Sequence, residues 1–379
     1  MKILIVSSYF GPVLGGALNF IKELSIELKS RNHKVTLLLD ERYKDLFSED
    51  TFDIIWFSSL KITAYSPSLS FLKSILQIDA DVIHLHGYMS FQTDFGALIA
   101  HFRKIPVVLS PHGSLLGYDH LYDSFLNKIP YYVHNFLTMK LPTKLPKFVI
   151  ATSNAEIKDC KNFGVSFKKL KKIPLSFSHS SLIQVDKKSK IKIKLLFVGR
   201  LVPLKNLDVL LESIQIVKNT IPEIEFIMVG DEISGRLKGD SGYKRQLELL
   251  IQTLGLEKNI KFLGWKTNQD LWNEYSKSDL FLLASTYENF GLPLLEAASF
   301  GLPIISTDIG VAKDLIGENQ GGIIISKLDA NEFAQAIISL LTNDLKYNSC
   351  SKFITTQSSN FTINSIVKQY EELYKMCKK

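Results

Sequence analysis

Twelve short runs of uninterrupted apolar residues, separated by stretches with helical spacing along nearly the whole chain, restrict the possible fold more than any other feature. In the first half they are ILIV, VTLLL, IIWF, DVIHLH, PVVLS and FVIAT; in the second they are KLLFVG, IEFIMVG, IKFLG, LFLLA, PIIS and GIIIS. A strand with one wet face alternates apolar and polar side chains, so continuous apolarity indicates strands covered on both faces. Strand-helix-strand order then calls for parallel sheets with helices on either side. At 379 residues the chain exceeds what one core usually serves, and two doubly wound α/β domains follow. The break between them is expected within SFSHSSLIQVDKKSK, residues 176–190, where periodicity lapses and Ser and Lys dominate. The expected organisation is an N-terminal domain over 1–180, a C-terminal domain over 181–360 and a final helix over 361–379. The apolar stripe of that helix, Ile363, Ile366, Val367, Tyr370, Leu373 and Tyr374, needs a surface to pack on.

Composition narrows the class further. Hydrophobic content of 46% and charged content of 22% are those of an ordinary globular protein, and no apolar run reaches the roughly 18 residues of a membrane-spanning helix. The start, MKILIVSSYFGP, reads as a buried first strand rather than a secretory signal, which points to the cytoplasm. Cys160, Cys350 and Cys377 have neither metal-ligand nor redox spacing and fit a reducing compartment. The formal charge is +7, unevenly spread: nine lysines face one acid, Asp186, between Lys168 and Lys194, and LNKIPYYVHNFLTMKLPTKLPK interleaves bases with aromatics. The plain explanation is a solvated linker and surface. The sharper one is peripheral contact with an anionic membrane at its inner face, where each lysine contributes about 1 kcal/mol. Nucleic-acid binding is not expected, since no recognition module accompanies the charge.

Ligands of parallel sheets bind beyond the carboxyl ends of the strands, so informative residues should follow strands. In FVGRLVPLKNLDVLLES, Arg200 comes directly after a strand and Lys205 falls at the start of a helix with the stripe Leu207, Leu210, Leu211, Ile214 and Val217. The helix dipole opposes a lysine in a first turn. An external anion would account for the pair, because two cations beside free helix amides make a diphosphate site; a solvated loop is the alternative. In YENFGLPLLE, Pro293 suits the first helical position, which sets the amides of Gly291 and Leu292 at the helix start and Glu296 within the first turn. The dipole alone explains a glutamate there. Glu288 lacks that explanation, since it precedes the helix on a strand exit. A carboxylate accepting two vicinal hydroxyls holds a ribose or hexose, so two of them around a glycine turn describe a sugar-nucleotide pocket.

In the first half, SSYFGPVLGGALNF reaches a helix through Gly15 and Gly16 but lacks the third glycine of the dinucleotide fingerprint. With Asp40 ending the second strand, where such enzymes bind ribose, a nicotinamide enzyme stays open on those features alone. Gly16 suits a close approach of backbone to substrate. His86 and His112 follow strands in glycine-bearing turns. His112, between Pro111 and Gly113, is a candidate donor to a sugar hydroxyl or phosphate, and His86 a candidate for shaping the backbone or the acceptor side. His84, His101 and His134 read as structural or surface residues.

Taken together, the chain resembles the retaining glycosyltransferases of family 4. The resemblance is most specific in FVGRLVPLKNLDVLLES, VGD, FLGW and ENFGLPLLEAASFGLPIIS, and extends more loosely through ATSNAEIKD and the first glycine loop. It implies the GT-B fold, two Rossmann-like domains facing a central cleft, with the final helix crossing back to the first domain. That family carries a Glu, seven residues, then a Glu, matched at Glu288 and Glu296. By motif, Arg200 and Lys205 would neutralise the donor diphosphate and the amides of Gly291 and Leu292 would add to them. Glu296 would hold the ribose and Glu288 would lie near the transferred sugar, with Asn289 and Phe290 in the same donor loop. Gly16 would line the diphosphate and acceptor side, His112 the sugar region, and Trp265 and Lys266 the nucleobase pocket. Asn289 stands where many relatives have glycine, and the loop IGVAKD departs from the frequent double glycine followed by a proline and an acid.

The implied reaction moves a hexosyl group from a UDP-, GDP- or dTDP-sugar to a hydroxyl of a glycan or lipid-linked acceptor with retention and without metal or cofactor, as in surface polysaccharide, lipopolysaccharide or glycolipid assembly. A sugar-nucleotide epimerase and a non-catalytic nucleotide-sugar-binding partner are the alternatives.

Overall fold

The computed structural model describes residues 1–8, 16–60, 65–117, 119, 125–177, 192–232 and 242–378. The glycine loop ahead of Gly16 and the segment SHSSLIQVDKKSK of the expected linker lie outside the described residues. The chain divides into two compact units, one of Met1–Ser176 with Ile363–Lys379, the other of Phe177–Thr362. No helix among the described residues is long and apolar enough to cross a membrane.

The first unit carries seven parallel strands in the order β3-β2-β1-β4-β5-β6-β7. These are β1 (Lys2–Ser7), β2 (Lys34–Asp40), β3 (Asp53–Phe57), β4 (Val82–His86), β5 (Val107–Ser110), β6 (Phe148–Ala151) and β7 (Leu170–Lys172). Helices α1 (Gly16–Ser30), α2 (Leu69–Gln77), α3 (Phe91–Phe102), α4 (Phe125–Leu137), α5 (Leu141–Lys144) and α6 (Asn154–Phe163) accompany them. Local chemistry sets several boundaries. The hydroxyls of Ser68, Ser90 and Ser153 accept the amides of Phe71, Thr93 and Glu156, capping α2, α3 and α6, and Gly164 stops α6 in the left-handed conformation at φ 103°. Strand β7, sequence LKK, was not among the expected runs. It holds one apolar residue, and lysines on an edge strand discourage pairing with another chain.

The second unit has six parallel strands in the order β10-β9-β8-β11-β12-β13: β8 (Ile193–Val198), β9 (Ile224–Val229), β10 (Ile260–Phe262), β11 (Leu280–Leu283), β12 (Ile304–Thr307) and β13 (Gly322–Ile325). Its helices are α7 (Leu207–Lys218), α8 (Tyr243–Thr253), α9 (Asn268–Lys277), α10 (Leu292–Ser299), α11 (Ala312–Ile316), α12 (Ala330–Leu341) and α13 (Asp344–Ser358). The direction of winding reverses between β1 and β4 in the first sheet and between β8 and β11 in the second. Such switch points leave a crevice at the carboxyl ends of the two central strands.

The last helix, α14 (Ile363–Lys378), belongs to the first unit. It buries Ile366, Val367, Tyr370, Leu373 and Tyr374, each aliphatic one worth about 1.5–3 kcal/mol. Tyr370 packs 5.8 Å from Phe20 of α1. Glu371 takes Arg31 at 2.9 Å and His33 at 2.8 Å.

Candidate active site

At the second switch point the chain leaves β8 through Gly199 and Arg200, makes a 3-10 turn over Pro203–Lys205 and places Asn206 in the left-handed region at φ 46° before α7 begins. The neighbouring exit, from β11, runs through Ala284 to Gly291. The two exits are joined by Thr286 N–H donating to Leu204 O at 3.0 Å and Asn206 Nδ2 donating to Ala284 O at 2.8 Å. This clasp brings Lys205 to Glu288: Nζ bonds Oε1, and the Ser285 hydroxyl donates to the same oxygen at 3.3 Å. Both side chains are largely enclosed, 10% and 19% exposed.

Lys205 therefore does not occupy the first turn of a helix, as its spacing suggested. Asn206 tolerates the left-handed conformation and separates the 3-10 turn from α7, so the dipole opposition does not apply. The anion beside Lys205 is Glu288 itself. Arg200 is half-buried and makes no side-chain hydrogen bond or ion pair among the described residues.

The donor-loop residues gather around this pair. Gly291 caps α10 at φ 83°, and a Cβ there would lie 3.8 Å from Glu288 Cβ and 3.0 Å from Leu294. Phe290 is buried, and Asn289 and Leu292 are half-buried. The IGVAKD loop packs directly on this segment: Val311 N–H donates to Phe290 O at 2.8 Å, and a Cβ on Gly310 would stand 2.3 Å from that oxygen. Thr307 adds a hydroxyl bond to Ser285 O at 2.6 Å.

Helix α10 starts at Leu292, with Pro293 second and Glu296 fifth, so Glu296 lies in the second turn rather than the first. Neither of the first two helical amides has an intrahelical partner, and proline fits either place. Glu296 points instead to α9 and accepts the Tyr275 hydroxyl at 2.6 Å. Tyr275 is fixed by a ring stacked on Phe300, 5.5 Å away and 11° from parallel. Burial pushes the Glu296 carboxyl up to about 7, against the lowering effect of the tyrosine. It is thus poised between charged and neutral forms near neutrality.

A row of glycines, which the sequence reading passed over, ends the three strands on the other flank. Gly199, Gly230 and Gly264 follow β8, β9 and β10. Gly230 N–H donates to Gly264 O at 2.8 Å, and a Cβ on Gly230, at φ 131°, would fall 1.9 Å from Gly199 O. The signal was present in VGR, VGD and LGW, a glycine after each of three strands. Trp265, 54% exposed, comes next after Gly264, and Lys266 Nζ lies 3.4 Å from Glu274. Both stand at the end of β10, which β9 separates from β8.

In the first unit, Gly16 opens α1. His112 leaves β5 in the left-handed region at φ 52°, held by Gly113 N–H donating to the buried Glu156 at 2.6 Å. Its Nε2 lies 2.8 Å from His86 Nδ1, with the rings stacked at 5.1 Å, and the His84 ring follows 4.0 Å beyond. Burial keeps all three imidazoles neutral, lowering His112 to about 4, His84 to about 3 and His86 well below the usual value. His84 is satisfied by Tyr374 and Ser110, each at 2.8 Å, and His134 by Asp94 at 2.8 Å, while His101 is exposed. Asp40 is buried and already engaged by Arg42, twice at 2.8 Å, and by Ser59. Burial raises its pKa, but these partners outweigh that and lower it overall, and its carboxylate oxygens already accept from Arg42 and Ser59.

Two doubly wound parallel sheets, the second with a cationic, glycine-lined switch point, define a GT-B glycosyltransferase. The sequence model of Glycosyltransferase Family 4 matches residues 14–177 and that of Glycosyl transferases group 1 matches residues 180–357. The chain belongs to this family. Among relatives, it is 28% identical over 321 residues to an Escherichia coli UDP-Gal:alpha-D-GlcNAc-diphosphoundecaprenol alpha-1,3-galactosyltransferase, covering 81% of this chain and 78% of that one. It is 26% identical over 359 residues to the phosphatidylinositol N-acetylglucosaminyltransferase GPI3 subunit of Saccharomyces cerevisiae, covering 88% and 74%. In fold it matches Anabaena HepE, solved in complex with UDP, at TM-score 0.78 and 21% identity over 99% of this chain and 100% of that one.

Proposed function

We propose that this glycosyltransferase moves a sugar, with retention, from a nucleoside diphosphate sugar held by the C-terminal domain to a hydroxyl of a glycan or lipid-linked acceptor on the N-terminal side, in cell-surface polysaccharide or glycolipid assembly. The observation that carries the reading is the Lys205–Glu288 pair at the β8/β11 switch point, between the glycine-ended strands and the start of α10. A lysine so enclosed is matched to an anion, and a diphosphate replaces the carboxylate when the donor arrives. The names of the relatives support the donor and acceptor classes, and a lipid-linked acceptor accords with peripheral contact at an anionic membrane.

As the C1–O bond to the diphosphate breaks, negative charge builds on the leaving group. Lys205, Arg200 and the amides of Gly291 and Leu292 stabilise it. Glu288, released from Lys205, accepts hydroxyls of the transferred sugar, and Glu296 accepts those of the ribose. His112, neutral at pH 7, donates a hydrogen bond to a substrate hydroxyl. The acceptor oxygen attacks the same face, and its proton passes to the departing diphosphate oxygen. A carboxylate that accepts both sugar hydroxyls and the Ser285 hydroxyl is a weak nucleophile, which favours this front-face course over a covalent sugar intermediate.

Thermal shift with UDP-, GDP- and dTDP-sugars identifies the donor. With that donor, Lys205→Ala and Arg200→Ala lower transfer by about 10²–10³. Glu288→Gln lowers transfer while leaving binding of the bare nucleotide equal or tighter, since it removes the competing anion. Product with inverted configuration, or transfer unchanged in Arg200→Ala and Lys205→Ala, would overturn the reading.

A further inference from the structure

Helix α4 faces the wrong way for a helix of a globular protein. It buries one side chain, His134, while Phe125, Leu126, Tyr132, Val133, Phe136 and Leu137 are exposed, Phe136 to 81%, and Met139 continues the face. The normal arrangement turns such residues inward. Phe125 and Tyr132 stack on each other at 5.9 Å, so the face is organised although nothing among the described residues covers it.

The surroundings are predominantly cationic: Asp119 pairs with Lys128 at 3.4 Å and Asp94 holds the buried His134 at 2.8 Å, but lysines outnumber these carboxylates. Residues 125–155 contain four lysines and no acid. Beyond the helix, Lys140 lies 4.1 Å over Phe163 and donates to its carbonyl at 2.7 Å, and Lys169 bonds the carbonyl of Lys144. Through these contacts the basic rim continues along Lys161, Lys168 and Lys169, where Phe167 is also exposed, with Lys161 4.8 Å from its ring. A second copy of the chain in a two-fold contact would set this rim, in which lysines outnumber carboxylates, against itself. A surface of phosphates is complementary to it.

We propose that α4 lies in the plane of an anionic bilayer surface, with its aromatic and aliphatic side chains in the headgroup boundary and the lysines over lipid phosphates. This deepens the membrane contact proposed above and rests on that reading for its purpose, because transfer to a soluble acceptor does not need it.

The test is flotation of the full-length chain with vesicles of phosphatidylcholine alone or of an equimolar mixture with phosphatidylglycerol, without donor or acceptor. The chain floats with the mixed vesicles, stays behind with the neutral ones and is released by high salt. Phe136→Ser/Leu137→Ser and Lys144→Gln/Lys168→Gln each reduce partitioning by at least about tenfold, with melting temperature and nucleotide-induced thermal shift unchanged. The proposal is overturned if the wild type stays behind with both vesicles, if it binds both equally, or if the variants float as well as the wild type. It is equally overturned if Phe136→Ser/Leu137→Ser converts a dimer to a monomer without changing flotation, which would identify a second copy as the occupant. A wild type that floats but shows no nucleotide shift would count against the donor site and leave the docking face standing.

Discussion

Glu296 carries a pH dependence that runs in opposite directions for binding and for stability. Its carboxyl is pushed up to about 7 in the fold, above the ordinary glutamate value of 4.5. The unfolded chain therefore ionises first, and the folded state loses stability as pH rises from about 4.5 to about 7. Only the ionised form accepts two ribose hydroxyls, so nucleotide affinity rises over pH 6 to 8, by as much as about tenfold per unit below the pKa. Glu296→Gln is expected to flatten the affinity profile measured by calorimetry and to raise the melting temperature of the ligand-free protein at pH 8. An affinity profile unchanged by the substitution would remove Glu296 from the ribose. Glu288 stood out in the sequence as a carboxylate on a strand exit that no helix dipole explains, whereas Arg200, Lys205 and Glu296 stood out by their place in the motifs. That Lys205 and Glu288 are each other's partner was not legible. They are 83 residues apart, and only the pairing of β8 with β11 brings them together.

At the scale of the element, the crossing of glycines at the ends of β8 and β9 fixes how closely those strands can approach. Gly230→Ala would force a methyl to within 1.9 Å of Gly199 O, a clash that side-chain motion cannot relieve. It should destabilise the protein by about 2–3 kcal/mol. Gly242→Ala is the control: at φ 86° nothing among the described residues lies within 4 Å of the added methyl, leaving left-handed strain of about 1–2 kcal/mol. Equal denaturant midpoints for the two variants would refute the role assigned to the close approach. The strands themselves were readable because a strand buried on both faces has no polar positions to blur it. Strand β7 was not readable, since an edge strand of two lysines and a leucine has no such pattern, and its pairing with β6 is decided by position alone.

For the molecule as a whole, the column of His84, His86 and His112 makes the first unit sensitive to acid. All three are lowered by burial from 6.5, His112 to about 4 and His84 to about 3. Between those values and 6.5 the unfolded chain binds protons that the folded chain refuses, so stability falls as pH drops from about 6.5 towards 4. Each proton so refused steepens the fall by about 1.4 kcal/mol per pH unit. His112→Asn, which tolerates the left-handed backbone, should lower the slope of denaturation free energy against pH by one proton; an unchanged slope would show that His112 titrates normally.

The sequence by itself determined the parallel-sheet class, the two-domain plan and the residue types at the strand exits, because burial on both faces and departures from local propensity are written in neighbouring residues. The tertiary structure alone decided which exits meet, which carboxylate is raised and which is ion-paired, and that α4 turns its apolar side outward. Those outcomes depend on contacts between residues far apart in the chain, and local periodicity carries no information about them.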